Sequence, residues 1–181
     1  MMKTGLSKLT IVKVVLWICI YFSGLALVYH TRWFIAFMMN SNIRGGVPVN
    51  EIPVLWFMVQ ICSNLIFIYV SFLLIRLIKK YTLAGYFGAE SIHVLNGIII
   101  ACLGLAFLGA FKTVVTNFSE VHLEEWTTIA AISNLFLRSF TRLLVFSSPQ
   151  TMYLLIAAIL WAVKQFVGVA LKVKKENESF I

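Results

Sequence analysis

Four long apolar runs, separated by shorter charged stretches, make up most of the chain. They are Val14–Tyr29, Ile52–Ile75, Val94–Phe111 and Thr151–Leu171. Each run is about as long as an α-helix must be to cross a hydrocarbon core of roughly 30 Å. Unpaired backbone amides and carbonyls are costly inside that core, so runs of this kind cross it as helices. The pattern predicts an all-α membrane protein, with four transmembrane helices forming a single domain over residues 1–181.

The composition agrees with this fold class. Hydrophobic residues make up 61% of the chain and charged residues only 12%, which is far from the balance of a soluble domain. Four helices and their connections use most of the length, so we expect no separate soluble catalytic domain. The net charge of +8 comes from basic residues near the helix ends, where such residues orient membrane proteins. The charge therefore does not indicate a nucleic-acid partner, and the lipid bilayer is the expected surrounding.

Basic residues are concentrated in three segments that an even number of spans places on one side of the membrane. These residues are Lys3, Lys8, Lys13, Arg76, Lys79, Lys80, Lys172, Lys174 and Lys175. The opposite side carries fewer basic residues, spread over two longer loops that also contain most of the glutamates. The positive-inside rule therefore predicts that both termini lie in the cytoplasm.

The second outer loop contains an amphipathic pattern. One narrow stripe at steps of three or four consists of Glu124, Thr128, Ala131, Asn134, Arg138 and Arg142, with apolar residues around it. The pattern predicts an amphipathic helix over Ile129–Phe146 that ends before Ser147-Ser148-Pro149. It either lies in the outer interface or packs partly re-entrant, with Arg138 and Arg142 facing phosphates or a polar cavity. The sequence leaves both interpretations open.

Polar residues inside the spans are the candidate functional residues, because burying them in lipid is expensive. Lys164 and Gln165 lie in the fourth run, and Glu90, at the start of the third helix, is the nearest acidic candidate to pair with Lys164. Alternatively, Lys164 extends its side chain to the cytoplasmic headgroups. A third possibility is that the span is shifted towards Leu143–Val163, which places Lys164 at the interface.

A second set of candidates comprises amide side chains and small residues. Gln60 and Asn64 lie one turn apart in the second run, and Asn96 lies one turn into the third. Such groups more often form hydrogen bonds between helices than bind a substrate. Small residues form one face on the third span (Gly97, Ala101 and Gly104) and one on the fourth (Ala158 and Ala162), which indicates close helix contact at these faces.

No catalytic, cofactor or metal motif is present in the sequence. There is no His-Glu-x-x-His, Walker lysine or Cys-x-x-Cys, and the three histidines are scattered over both sides. Cys19, Cys62 and Cys102 each fall within a span, at spacings that fit no metal site. We therefore expect a protein that is not an enzyme and has no cofactor and no metal.

Two short segments resemble a known family. The segment Leu77-Ile78-Lys79-Lys80-Tyr81, followed by Gly85-Tyr86-Phe87 and Ser91-Ile92, is similar to the region before the third helix in a bacterial family of four-helix inner-membrane proteins of unknown function. The acidic tail Glu176-Asn177-Glu178-Ser179-Phe180-Ile181 is similar to the end of that family, with Ser-Phe where Leu-Thr is usual. The resemblance implies a bacterial inner-membrane location. It also implies a regulatory or stress-linked role in the membrane, since members are often encoded beside a small Cro-like helix-turn-helix regulator.

Two classes of function follow from these observations. The first is a non-enzymatic accessory or regulatory protein that acts by contact with another membrane protein, a cytoplasmic regulator or a second copy of itself. The second is a small transporter or channel subunit in which Lys164, Gln165, Asn96, Gln60 and Asn64 line a path. Because a path needs polar groups through the full depth of the bundle and these are sparse, the sequence favours the first class.

Overall fold

The computed structural model is built from α-helices. It describes residues 2–40, 42–49, 51–84, 89–120, 129–144 and 149–178. The helices in this part of the chain are α1 (Met2–Met39), α2 (Pro53–Ala84), α3 (Ala89–Glu120), α4 (Ile129–Leu144) and α5 (Pro149–Glu178). Four of them, α1, α2, α3 and α5, are long and apolar enough to cross a membrane. The prediction of an all-α membrane protein with four transmembrane helices is confirmed.

The helices extend well beyond the apolar runs that predicted them. The segment from His30 to Met39 continues α1, although the sequence suggested that it begins an outer loop. Likewise, α2 continues to Ala84 and α3 to Glu120. The loops are therefore shorter than the sequence pattern suggested.

The spanning helices pack in the order α1, α2, α3, α5. Within the described residues, α1 makes close backbone contact with α2 alone, while α3 lies between α2 and α5. The main apolar cluster is centred on α3 and brings together side chains of α2, α3 and α5: Val70, Leu73, Leu74, Leu77, Val94, Ile98, Ile99, Cys102, Ala157 and Leu160. The third span is therefore the centre of the packed interior.

Small residues do mediate close packing, but partly at other positions than expected. Ala101 and Ala157 are buried, whereas Ala158 and Ala162 are exposed. Gly97 and Gly104 face Leu73 and Ile66 of α2, so these two glycines lie on the side of α3 that contacts the second span. The sequence shows which residues are small, but the rotation of each helix about its axis decides which of them are buried.

The amphipathic helix of the second outer loop is confirmed as α4, which ends at Leu144 and packs against α3 and α5. Glu124, Thr128 and the residues after Leu144 that belonged to the predicted pattern lie outside the described residues. The described part of α5 begins at Pro149, and the residues that would join it to Leu143 and Leu144 in the alternative span Leu143–Val163 lie outside the described residues. The candidate fourth span covers Pro149–Asn177, and the depth of Lys164 in the membrane stays a prediction.

Candidate functional site

The two ends of the bundle differ in their polar contacts. We call the end with the N- and C-termini the terminal end. The distal end is the opposite one, where α1 and α3 finish and α2 and α5 begin. The sequence candidates are spread over several places: Glu90 lies at the terminal end, the amides and Lys164 lie within the spans, and Arg138 and Arg142 lie on α4.

The amide candidates in the middle of the bundle are half-buried. Asn64 donates from Nδ2 to the backbone carbonyl of Gln60 at 2.8 Å, a bond within one turn of its own helix. Asn96 lies on α3, beside the apolar cluster. The bond of Asn64 lowers the cost of placing an amide in the membrane but does not join two helices. No polar path is formed by these amides in the part of the chain that the structure describes.

Lys164 is half-buried on α5 and its neighbour Gln165 is exposed. Neither side chain forms an ion pair or hydrogen bond with another described residue. Glu90 does not pair with Lys164: its carboxylate pairs instead with Lys80, across the terminal end of α2 and α3. This position leaves Lys164 free to direct its ammonium group along α5 towards the headgroups.

The two arginine candidates lie on α4, but their side chains are outside the described part of the structure. The exposure of neighbouring residues shows which side of α4 faces away from the bundle. Ile129, Ile132, Phe136 and Leu137 are all exposed, and they border an open apolar depression together with Ser133. Asn134 of the polar stripe is exposed as well. Large apolar side chains therefore extend away from the bundle along α4.

A largely covered ion pair joins α3 to the segment before α2 at the distal end. Lys112, in the last third of α3, donates from Nζ to Oε1 of Glu51 at 2.7 Å. Both side chains are largely covered, with 26% of Lys112 and 20% of Glu51 exposed. Glu51 lies two residues before Pro53, the first residue of α2, where the helix dipole favours a carboxylate. This charge-assisted bond ties the beginning of α2 to α3.

A second polar contact ties α3 to α5 at the same end. Gln150, in the first turn of α5, donates from Nε2 to the hydroxyl oxygen of Thr113 at 3.1 Å. The Thr113 hydroxyl in turn donates to the carbonyl of Gly109 at 3.0 Å. A side-chain carbon on Gly109 would lie 2.6 Å from Cγ of Gln150, so a glycine is needed for this close approach. The two helices are thus held by a short chain of hydrogen bonds.

Aromatic rings complete the distal end. Phe57 is the largest fully buried side chain of the described core and contacts the rings of Phe34, Phe37 and Trp56. Gly45, at a φ of 50°, places its backbone against Phe57 and Trp33 in a conformation and a space that a larger residue would not fit. The turn after α1 is therefore packed onto the start of α2.

Some acceptors in this region remain without a donor among the described residues. They are Oε2 of Glu51, Oε1 of Gln150 and Nδ1 of His30, whose ring lies 5.3 Å from that of Trp56. We call Glu51, Lys112, Thr113 and Gln150 the distal polar cluster. Its chemistry is that of hydrogen bonding and charge pairing between helices. No group of three or more His, Cys, Asp or Glu side chains suited to a metal occurs in the described ranges.

The sequence candidates did not include the distal polar cluster. Glu51 and Lys112 are far apart in sequence and each looked like an ordinary charge beside a span. A usable indication was present: Glu51 immediately precedes one span and Lys112 immediately follows another on the same predicted side. An acid and a base at equal depth on neighbouring helices can pair, but only the structure shows that the two helices are neighbours.

In comparisons with known proteins, no protein-family model, no curated protein and no solved structure matches this chain. The resemblance to bacterial four-helix inner-membrane proteins therefore stays a prediction. Four apolar helices of sufficient length make the chain a multi-pass membrane protein.

Proposed function

We propose that this multi-pass membrane protein is a non-enzymatic accessory or regulatory protein that acts through contacts with other proteins. The observation that carries the proposal is the apolar interior shared by α2, α3 and α5. The buried side chains of Ile98 and Cys102, near the middle of α3, pack in one cluster with Ala157 of α5. An interior packed in this way favours a protein that acts through its surface over one that contains a transport path.

The polar groups of the protein are instead concentrated at its two ends. At the terminal end, Lys79, Lys172, Lys174 and Lys175 lie on exposed helical surface beyond the apolar segments. Their charge supports a cytoplasmic position for both termini and a surface that attracts an acidic partner. The resemblance to four-helix inner-membrane proteins supports a bacterial inner membrane and a regulatory role.

Site-specific photo-crosslinking in intact cells tests the contact function. A photoreactive amino acid at Lys79 or Lys172, both exposed at the terminal end, should give discrete protein adducts. The matched control is Phe107, which is 69% exposed in the membrane-spanning part of α3 and should crosslink mainly to lipid. Adducts with another protein or with a second copy would support the proposal. Failure to form protein adducts at both terminal positions would contradict it.

Reconstitution tests the alternative of a transporter or channel subunit. Liposomes that contain the purified protein should be no more permeable to small ions than empty liposomes. A flux that saturates with substrate and is lost in Lys164→Leu would favour the transporter. The control is Phe166→Leu, a change on the same helix at a residue that is 75% exposed.

Topology is tested by cysteine labelling in a background that lacks Cys19, Cys62 and Cys102. A cysteine at Lys79 should be protected from an impermeant thiol reagent in intact cells, whereas one at Asn42 should be labelled. Both residues are exposed in the structure and lie at opposite ends of the bundle. Labelling at position 79 from outside would overturn the cytoplasmic assignment of the termini.

We further propose that α4 lies in the outer membrane interface and is not re-entrant. Ile129 is 86% exposed and Phe136 is 71% exposed, and they lie two turns apart on one side of the helix. An apolar surface of this kind is covered when the helix lies at the boundary between headgroups and acyl chains. Spin labels along α4 should show lipid exposure with a period near 3.6 residues. Uniform exposure to water would reject this placement.

A further inference from the structure

A groove between α2 and α3 at the terminal end combines basic and apolar side chains. It is lined by Leu73 and Arg76 of α2 and by Glu90, His93 and Val94 of α3, and has a volume of about 240 Å³. The groove is separate from the distal polar cluster, which lies at the opposite ends of the same helices. Its residues have no role in the proposed contact function.

The lining changes from apolar to basic along the helix axes. Leu73 and Val94 belong to the apolar cluster in the membrane interior. Arg76 follows Leu73 by about 4.5 Å along α2, and His93 precedes Val94 on the antiparallel helix α3. The groove therefore has an apolar floor towards the membrane and a hydrogen-bonding rim at its terminal end.

The depth of the rim corresponds to the headgroup region. Helix α2 rises about 35 Å between Pro53 and Arg76, slightly more than the ~30 Å of a hydrocarbon core. Arg76 and His93 are exposed. A side chain at this depth meets phosphates and not acyl chains.

The charge balance of the rim favours an anion. Glu90 is the acidic residue of the lining, and its carboxylate is neutralised by the ion pair with Lys80. Arg76 forms no ion pair or hydrogen bond with another described residue, so its guanidinium is available. A guanidinium fork matches two oxygens of a phosphate, and an imidazole N–H supplies a further donor.

We propose that this groove binds the phosphate of an anionic phospholipid, with Arg76 and His93 on the headgroup and an acyl chain along Leu73. Basic pockets between transmembrane helices on the cytoplasmic side are suited to such headgroups. The apolar floor favours a lipid over a free phosphate ion, because an acyl chain can lie along the half-buried Leu73 whereas an ion can contact only the polar rim. The inference is independent of whether the protein acts by contact with other proteins.

Native mass spectrometry of the full chain in detergent tests the site. The protein is titrated with phosphatidylglycerol, with phosphatidylcholine of the same chain length, and with inorganic phosphate. Phosphatidylglycerol should be retained preferentially, and Arg76→Gln should weaken its binding about fivefold, the effect of one basic residue near an anionic surface. Arg76→Lys should retain part of the affinity, because the charge remains but the two-pronged geometry is lost.

The matched control is Lys79→Gln. It removes one positive charge from an exposed position on the same helix, one turn beyond Arg76 and outside the lining. This variant should change phosphatidylglycerol binding by less than twofold. An equal loss of phosphatidylglycerol binding in Arg76→Gln and Lys79→Gln would indicate a diffuse electrostatic attraction and not a specific site, and would overturn the proposal.

Two further outcomes would also overturn it. Equal retention of phosphatidylcholine and phosphatidylglycerol would show that the headgroup charge is not recognised. Displacement of the lipid by millimolar inorganic phosphate would assign the rim to a free anion. Circular dichroism of each variant checks that the helices are intact, and Arg76 is exposed, so folding should be unaffected.

Discussion

Each end of the bundle has a Lys–Glu ion pair, but the two pairs differ in how far their side chains are exposed. At the distal end, Lys112 and Glu51 form a largely covered ion pair between α3 and the start of α2. At the terminal end, Lys80 and Glu90 also pair α2 with α3, but their side chains are 40% and 62% exposed. Covered charges lose hydration and depend on their partner, whereas exposed charges interact with water in either case.

This difference indicates a division of roles. The distal end contains the Gln150–Thr113 bond and the Phe57 packing, which hold the helices in register. The terminal end carries exposed basic residues and the open groove at Arg76. We therefore expect distal substitutions to lower the free energy of unfolding, and terminal substitutions to alter binding while leaving stability nearly unchanged.

The largest effect is expected for Phe57→Ala. Phe57 is 0% exposed, so its removal leaves a cavity among the rings of Phe34, Phe37 and Trp56. The free energy of unfolding, measured by SDS titration in mixed micelles, should fall by about 3 kcal/mol. The control Phe166→Ala alters a ring that is 75% exposed and should change it by less than about 0.5 kcal/mol. Equal effects of the two substitutions would contradict a packed distal end.

The next effect concerns the distal ion pair. Lys112→Met removes the donor of the 2.7 Å bond and leaves the Glu51 carboxylate covered without its partner. We expect a loss of about 2 kcal/mol in the free energy of unfolding. Glu51→Gln should also lower the free energy of unfolding. The double variant should lower it by less than the sum of the two single effects. Lys79→Met, on exposed surface, is the control and should be nearly neutral.

The sequence predicted the helices of the fold but not the polar contacts between them. Apolar runs of membrane-spanning length indicate helices whatever their neighbours are, and the stripe that includes Asn134 indicated α4. The partners of Glu90 and Glu51 depend on which helices are adjacent and how each is rotated about its axis. For helices that are apolar on all sides, the sequence periodicity indicates neither which helices are adjacent nor how each is rotated. This explains why Lys164 was considered as the partner of Glu90, although Lys80 takes that position.

A smaller effect is expected where α3 and α5 approach each other at the distal end. In Gly109→Ala the new methyl group would meet Gln150, which must turn away from Thr113. Loss of that hydrogen bond and local repacking should cost about 1 kcal/mol in the same unfolding titration. Gly24→Ala on α1 is the control, since nothing lies within 4 Å of the added carbon, and it should be neutral. Equal losses for the two glycines would mean that the α3–α5 approach is not tight.

The smallest effects are expected at the terminal end and are best measured as coupling energies. Glu90→Gln and Lys80→Gln should be coupled by about 0.5 kcal/mol, as for other exposed ion pairs. Glu90→Gln and Lys164→Leu should not be coupled, because the carboxylate of Glu90 pairs with Lys80. Lys164→Leu alone should leave the free energy of unfolding unchanged or raise it slightly, since an apolar side chain replaces a charge in lipid. A coupling above about 1 kcal/mol between Glu90 and Lys164 would contradict this arrangement and restore the predicted pair between these two residues.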